Sequence, residues 1–334
     1  MISSSSDFKD VLMSARGLVQ EDLSLTEQVI LGIAANAPQG ISSRMEQLVH
    51  RKGKRIRSTL LCLISHSGNT PPDLKRVSRA CAGLELLHLA SLVHDDIIDN
   101  TELRRGVRTA HKEWGNKIAV LIGDYILSQA MRCVIDEKDR TIPEILSNAA
   151  NDLIGGEIME LDDSGDMNLS YDRYIEIIHN KTASLVDAAA RMGAIFAGFD
   201  SERVEACAKM GANFGLAFQI IDDLLDYGIG AENLDKAKFT DIANGLVTLP
   251  VIFYFEACSP TEKEYMRTLI CRASEPKVPE EIISLLSKQG CFEKTKKVAL
   301  DYLDSALDIA KALPESKFSE ALELFFSAMS DRSN

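Results

Sequence analysis

Aromatic residues are scarce in this chain of 334, at 6% with a single tryptophan, and glycine (20) and proline (9) are also few. Both shortages argue against a β-sandwich or barrel, which needs many turns and β-favouring side chains. Positive charge is short as well: 37 Lys+Arg stand against 50 Asp+Glu, a formal net charge of −13. A protein that grips a nucleic-acid backbone needs a basic face, so no nucleic-acid partner is expected. The same acidity would repel a phosphorylated substrate unless metal ions intervene. The seven cysteines (62, 81, 133, 207, 258, 271, 291) are dispersed, with no C-x-x-C and no zinc-type spacing. They read as reduced thiols of a cytoplasmic protein. Residues 1–20 carry Asp7 and Asp10 and no long apolar stretch, so no signal peptide is expected. No run of about 18 uncharged apolar residues offers a membrane span.

What is abundant is helical periodicity. The chain is 46% apolar, enough for a sizeable core. Apolar residues recur three and four apart over 26–36, 42–51, 56–67, 74–99, 116–136, 141–162, 171–178, 183–198, 201–226 and 244–257. The pattern continues over 260–273, 278–289, 291–312 and 315–330. No alternating run marks a strand. Length alone suggests about two domains, but no Gly/Ser/Pro linker divides the chain. The one compositional shift, 228–245, reads as a polar, glycine-bearing loop beside a site. The expectation is one all-α domain over 1–334, a large bundle of long antiparallel helices around a central cavity.

Two apolar helices end in the same pattern, D-D-x-x-D: Asp95-Asp96-x-x-Asp99 and Asp222-Asp223-x-x-Asp226. Residues i and i+4 share a helix face with Cβ atoms about 5–6 Å apart, so Asp95/Asp99 and Asp222/Asp226 are carboxylate pairs. Each pair costs its helix about 0.2–0.5 kcal/mol by repulsion and lies at the C-terminal end, where the dipole disfavours anions. Two such rows call for a compensating cation. Oxygen-only ligands suit Mg²⁺, which completes its shell with phosphate oxygens of a substrate. Basic residues flank the rows: Lys52-Gly53-Lys54-Arg55-Ile56-Arg57 at a helix start, Arg104-Arg105-Gly106 just after the first row, then Lys181-Thr182, Lys236 and Lys238. Arginine presents a planar fork to phosphate oxygens and lysine a point charge.

In this ordered set the chain resembles the trans-type isoprenyl (polyprenyl) diphosphate synthases, over about residues 50–255. The matching motifs are Gly53-Lys54-Arg55-x-Arg57, Glu85-x-x-His88, Asp95-Asp96-x-x-Asp99, Leu103-Arg104-Arg105-Gly106, Gly123-Asp124, Lys181-Thr182, Gln219-x-x-Asp222-Asp223-x-x-Asp226 and Asp241-x-x-x-Gly245-x-x-Thr248-Leu249-Pro250. The resemblance implies an isoprenoid-synthase fold and three Mg²⁺ ions. Asp95, Asp99 and Asp222 would be their main ligands, with Asp96, Asp223 and Asp226 in support. It implies that the metals, Arg104, Lys181 and Lys236 hold the diphosphate of an allylic substrate. Isopentenyl diphosphate would rest against Lys54, Arg57, His88 and Arg105, with Lys181, Thr182 and Gln219 facing the reacting carbons. Family members are commonly homodimers, and a lipid-like product would bring the protein near a membrane. The chain departs from the family at Leu246, where a lysine is usual, and at Glu157 and Glu160, where Gln and Asp or Gln are frequent. Lys52, Asp235 and Phe239 replace glycines, and Ser58 a frequent proline.

Ionisation of the allylic C–O bond yields an allyl cation and diphosphate, which metals and cations neutralise. An apolar cavity must exclude water from the cation. The growing product should run beside the helix ending at Asp95, where Ala90 and Ser91 are small. With a rise of about 5.4 Å per helical turn, the expected product is of medium to long length, C25–C50, with Leu87, Leu127 or Met131 as the floor. The alternatives are a short-chain C15–C20 synthase and a non-catalytic subunit of a heteromeric synthase, although such partners typically lose aspartates. An HD-type phosphohydrolase reading of His94-Asp95 leaves the two aspartate rows unexplained. Terpene cyclases lack the grip of Lys54, Arg57 and Arg105.

Overall fold

The computed structural model describes residues 8–51, 53–229 and 239–331. The described part is all-α. In order it runs α1 (Phe8–Leu18), α2 (Gln20–Ala35), α3 (Ser42–Val49), α4 (Ile56–His66) and α5 (Leu74–Ile98). A small hairpin, β1 (Leu103–Arg104) and β2 (Val107–Arg108), leads to α6 (Ala110–Trp114), α7 (Asn116–Val134) and α8 (Thr141–Asp162). Then come α9 (Tyr171–Ile178), a π-turn (His179–Ala183), α10 (Ser184–Phe196), α11 (Ser201–Asp226) and α12 (Thr240–Ala243). The tail is α13 (Leu249–Ala257), α14 (Pro260–Ile270), α15 (Val278–Lys288), α16 (Cys291–Lys311) and α17 (Lys317–Asp331).

The two helices that carry the aspartate rows are the scaffold. Asp73 caps α5 by accepting the Lys75 and Arg76 amides, and Asp200 caps α11 by accepting the Arg203 amide. Both are buried nearly all round in their middle turns, Ala80–Leu87 and Met210–Ala217, as fits helices at the centre of a bundle. α5 packs against α2, α4 and α7, and α11 packs against α10 and α16. One apolar core extends from Phe8 to Met329. None of the described helices is long and apolar enough to cross a membrane.

The structure differs from the periodicity reading in five places. Residues 8–18 and Ala110–Trp114 form helices outside the stretches of clear periodicity. Helix α13 begins at Leu249 rather than 244, because Pro250 sits at the first positions and Gly245 adopts a φ of +83°. Leu103–Arg104 pairs with Val107–Arg108, strands of two residues each and too short for any alternation to show. Their loop is Arg105-Gly106 with φ of +54° and +78°, the type I′ geometry that matches strand twist. Finally, Lys181 and Thr182 sit in a π-turn, a distortion often found at functional sites.

Candidate active site

At the end of α5, Asp95 and Asp99 project from one face, Asp95 half-buried and Asp99 exposed. Burial, then the charge of Glu157, outweighs Lys181 and pushes the Asp95 carboxyl up to about 7. Asp99 is raised from the ordinary value, first by burial and then by Glu157, with Lys181 opposing. Asp96 turns inward, 4% exposed, and accepts from Arg104 Nε at 2.7 Å. His94 points to α7: its Nε2 lies 3.4 Å from Asp124, and a Cβ on Gly123 would fall 2.3 Å from that nitrogen. The Gly123-Asp124 motif therefore seats the helix carrying the first row against its neighbour.

The second row repeats the plan. Asp222 is exposed, while Asp223 is 5% exposed and accepts from Tyr174 Oη and from Gln219 Nε2 at 2.8 Å. Burial, with Asp241 next, holds the Asp223 carboxyl well above the ordinary range. Gln219 in turn accepts from Thr182 Oγ1 at 2.7 Å, so its amide is oriented from both ends. Asp226 accepts from the Thr240 hydroxyl at 2.6 Å and from the Asp241 amide at 3.1 Å, tying down α12. Asp241, whose carboxyl burial, Asp226 and Asp222 push up to about 7, adds a further acid to this row.

Lys181 lies between the rows. Its Nζ is 2.7 Å from both carboxylate oxygens of Glu160 and 2.9 Å from Glu157 Oε2. Burial disfavours the ammonium, but Glu160 and Glu157 prevail and hold its pKa above the ordinary lysine value. Gly156 makes this geometry possible: a Cβ there would stand 2.7 Å from the Lys181 backbone nitrogen. Lys181 acts on both Asp95 and Asp241, and Glu160 feels both Asp99 and, across the site, Asp241. Lys181 is thus within electrostatic reach of Asp95 and Asp99 on the first row and of Asp241 beside the second.

Arginines gather around His88, and one of them, Arg104, reaches back to the first row. Arg55, in a left-handed conformation at the start of α4, donates to Glu85 Oε2 at 2.8 Å, and Ser58 donates to Glu85 Oε1 at 2.6 Å. Ser58, at the position where the family has proline, thus helps to fix Glu85. His88 is held well below its ordinary pKa, first by burial and then by Arg57, Arg104, Arg105 and Arg55, so it is neutral near pH 7. Burial lowers the Arg57 pKa against the pull of Glu85, and its Nε is buried with no hydrogen-bond partner. A buried orphan guanidinium donor beside three more arginines fits an anionic ligand. Arg105 lies against Gly53, where a Cβ would meet its Nη1 at 3.6 Å, and exposed Lys54 flanks the opening. Lys236, Lys238 and Asp235 lie outside the described residues.

The chain matches the polyprenyl synthetase family over residues 38–286. It belongs to that family. A curated relative is solanesyl diphosphate synthase 1 of Arabidopsis thaliana chloroplasts, 33% identical over 310 residues, spanning 92% of this chain and 75% of the relative. The short chain isoprenyl diphosphate synthase of Methanothermobacter thermautotrophicus is also 33% identical, over 89% of this chain and 92% of its own. Among solved structures, polyprenyl synthase from Caulobacter crescentus, complexed with calcium and isoprenyl diphosphate, superposes with a TM-score of 0.85 at 31% identity. It covers 100% of this chain and 99% of that one. Family membership makes the chain a prenyltransferase of the polyprenyl diphosphate synthase class.

For a polyprenyl synthetase the donor set is apt. All groups on the two rows are oxygen ligands, suited to a hard divalent cation. Among the described residues, no three acidic, histidine or cysteine side chains converge closely enough to hold a metal unaided. Leu246 lines a cavity of about 220 Å³ with Glu160, Lys181, Gln219, Asp223 and Asp241, so an apolar group stands where the resemblance implied a lysine. Phe239 adopts a φ of +81°, which explains why glycine is common there. Its ring packs edge-on to Tyr227 at 5.5 Å. Ala90 is 2% exposed in the core, whereas Ser91 is half-buried and donates to the His88 carbonyl at 3.0 Å. Sequence reasoning missed Tyr174 and did not give Glu157, Glu160 or Asp241 a role. Only the G-G-E-x-x-E spacing, i and i+3 on one helix face, hinted at the two glutamates.

Proposed function

We propose that the chain condenses an allylic diphosphate with isopentenyl diphosphate and releases a medium-to-long polyprenyl diphosphate, C25–C50. What supports this reading is Lys181, within electrostatic reach of Asp95, Asp99 and Asp241, together with the arginines clustered around His88. Asp95, Asp99 and Asp222, supported by Asp96, Asp223 and Asp226, would hold Mg²⁺, three ions in all. Bound there, magnesium neutralises the diphosphate that leaves. Arg104, Lys181 and Lys236 grip that same group. Lys54, Arg57, His88 and Arg105 hold isopentenyl diphosphate, and neutral His88 can accept or donate without adding charge. Thr182 and Gln219 present oriented dipoles to the reacting carbons, where charge develops. The allylic C–O bond ionises to an allyl cation and diphosphate, and the isopentenyl double bond then attacks the cation to form the new C–C bond. A proton then leaves to the departing diphosphate.

The chain works as a single domain over 1–334, a reading that the continuous core supports. Seven free cysteines support a cytoplasmic location. Exposed Leu121 on α7 with Ile154, Ile158 and Leu161 on α8 support a homodimer. A short-chain C15–C20 product is the second reading, favoured by the equal identity of the archaeal relative. Incubation of the purified chain with isopentenyl diphosphate, magnesium and primers of increasing length decides, with products sized by mass spectrometry. A five-carbon ladder ending between C25 and C50 is expected. Termination at C15–C20 selects the second reading, and no extension by the chain alone overturns catalysis by this subunit.

A further inference from the structure

The ammonium between the two rows is occupied. Lys181 Nζ has three N–H bonds, and three carboxylate oxygens stand within 2.9 Å of it. Its backbone packs directly against α8, where a Cβ on Gly156 would stand 2.7 Å from the Lys181 nitrogen. Both partners are short of solvent: the Glu157 and Glu160 side chains are 14% and 18% exposed, and Lys181 is 28% exposed. A lysine so enclosed offers no spare donor to a phosphate, and the two glutamates repel any anion that approaches it. Leu246, in the same cavity, adds no cation of its own.

We propose that Glu157 and Glu160 form a latch that withholds Lys181 from diphosphate in the metal-free protein. The latch rests on the function proposed above and specifies how its diphosphate site is regulated. Glu160, with two contacts, is the stronger arm and Glu157 the weaker. Both are positioning residues: they act on diphosphate through Lys181. The consequence is an order of events, in which the site refuses a free diphosphate and the carboxylates must be compensated before Lys181 can turn to the substrate.

The test is titration calorimetry of the full chain with inorganic pyrophosphate in chelator. Expected is weak binding by wild type, at least tenfold tighter binding by Glu160→Gln, a smaller gain for Glu157→Gln, and wild-type behaviour for Glu160→Asp, which keeps the charge. Adding Lys181→Ala to Glu160→Gln should abolish the gain. Wild-type affinity in both glutamine variants overturns the latch, and so does a gain that survives Lys181→Ala, which would be simple loss of repulsion. Magnesium-dependent chain extension by wild type is measured separately. If it occurs while the titrations fail, the latch alone is wrong. If it does not occur, the underlying function is wrong.

Discussion

The aspartates of each row have divided their work. Asp95, Asp99 and Asp222 are half-buried or exposed, Asp226 is tied to α12 by the Thr240 hydroxyl and the Asp241 amide, and the second positions, Asp96 and Asp223, are buried and orient a neighbour, Arg104 in one row and Gln219 in the other. The rows were legible because i, i+4 spacing on an apolar helix is a local property. Which aspartate turns inward was not, since that depends on Arg104 arriving from the hairpin and Tyr174 from α9. Half-buried Asp95 costs stability without a metal. The Asp95 carboxyl, near 7 when folded, keeps its proton while the unfolded chain has lost its own. Its contribution is therefore lost as pH rises from about 4 through 7. The penalty at pH 8 is on the order of 2–4 kcal/mol. Asp95→Asn removes it. In chelator its thermal midpoint should match wild type at pH 4 and exceed it by a few degrees at pH 8. A gap that is constant with pH would contradict the assignment.

At the scale of elements, close approaches set the site. Helix α8 reaches the π-turn only because Gly156 has no side chain, and that contact delivers Glu157 and Glu160 to Lys181. Gly156→Ala should overpack the junction by about 1–3 kcal/mol and lower turnover by displacing Lys181 and Thr182. Gly155, with nothing within 4 Å of its Cβ position, is the control. Gly155→Ala should be neutral or stabilise by up to about 1 kcal/mol. Chemical denaturation of both variants separates the two, and equal costs would contradict the packing argument. The long helices were readable from periodicity. The π-turn was not, because His179–Ala183 has ordinary helix composition and its widening follows from packing against α8 and α11. The hairpin shows the same limit: its two-residue strands leave only Arg105-Gly106 as a trace in the sequence.

The whole molecule is a helical box in which an acidic end and an arginine wall meet beside the apolar core. Product length belongs to this scale. Ser91, half-buried one turn before Asp95, can take a larger side chain. Ser91→Phe should shorten the product by one or more five-carbon units, read by mass spectrometry. Ala90, buried in the core, should instead lose about 1–3 kcal/mol of stability as phenylalanine. An unchanged product from Ser91→Phe would remove the tunnel from this helix face. The central claim is that both rows share divalent cations with one diphosphate. Crystals grown with Mn²⁺ and inorganic pyrophosphate test it through anomalous difference density. The account predicts ions bridged by pyrophosphate, with Asp95 and Asp99 on one side and Asp222 on the other. Ions confined to one row, or pyrophosphate held by neither, would contradict it.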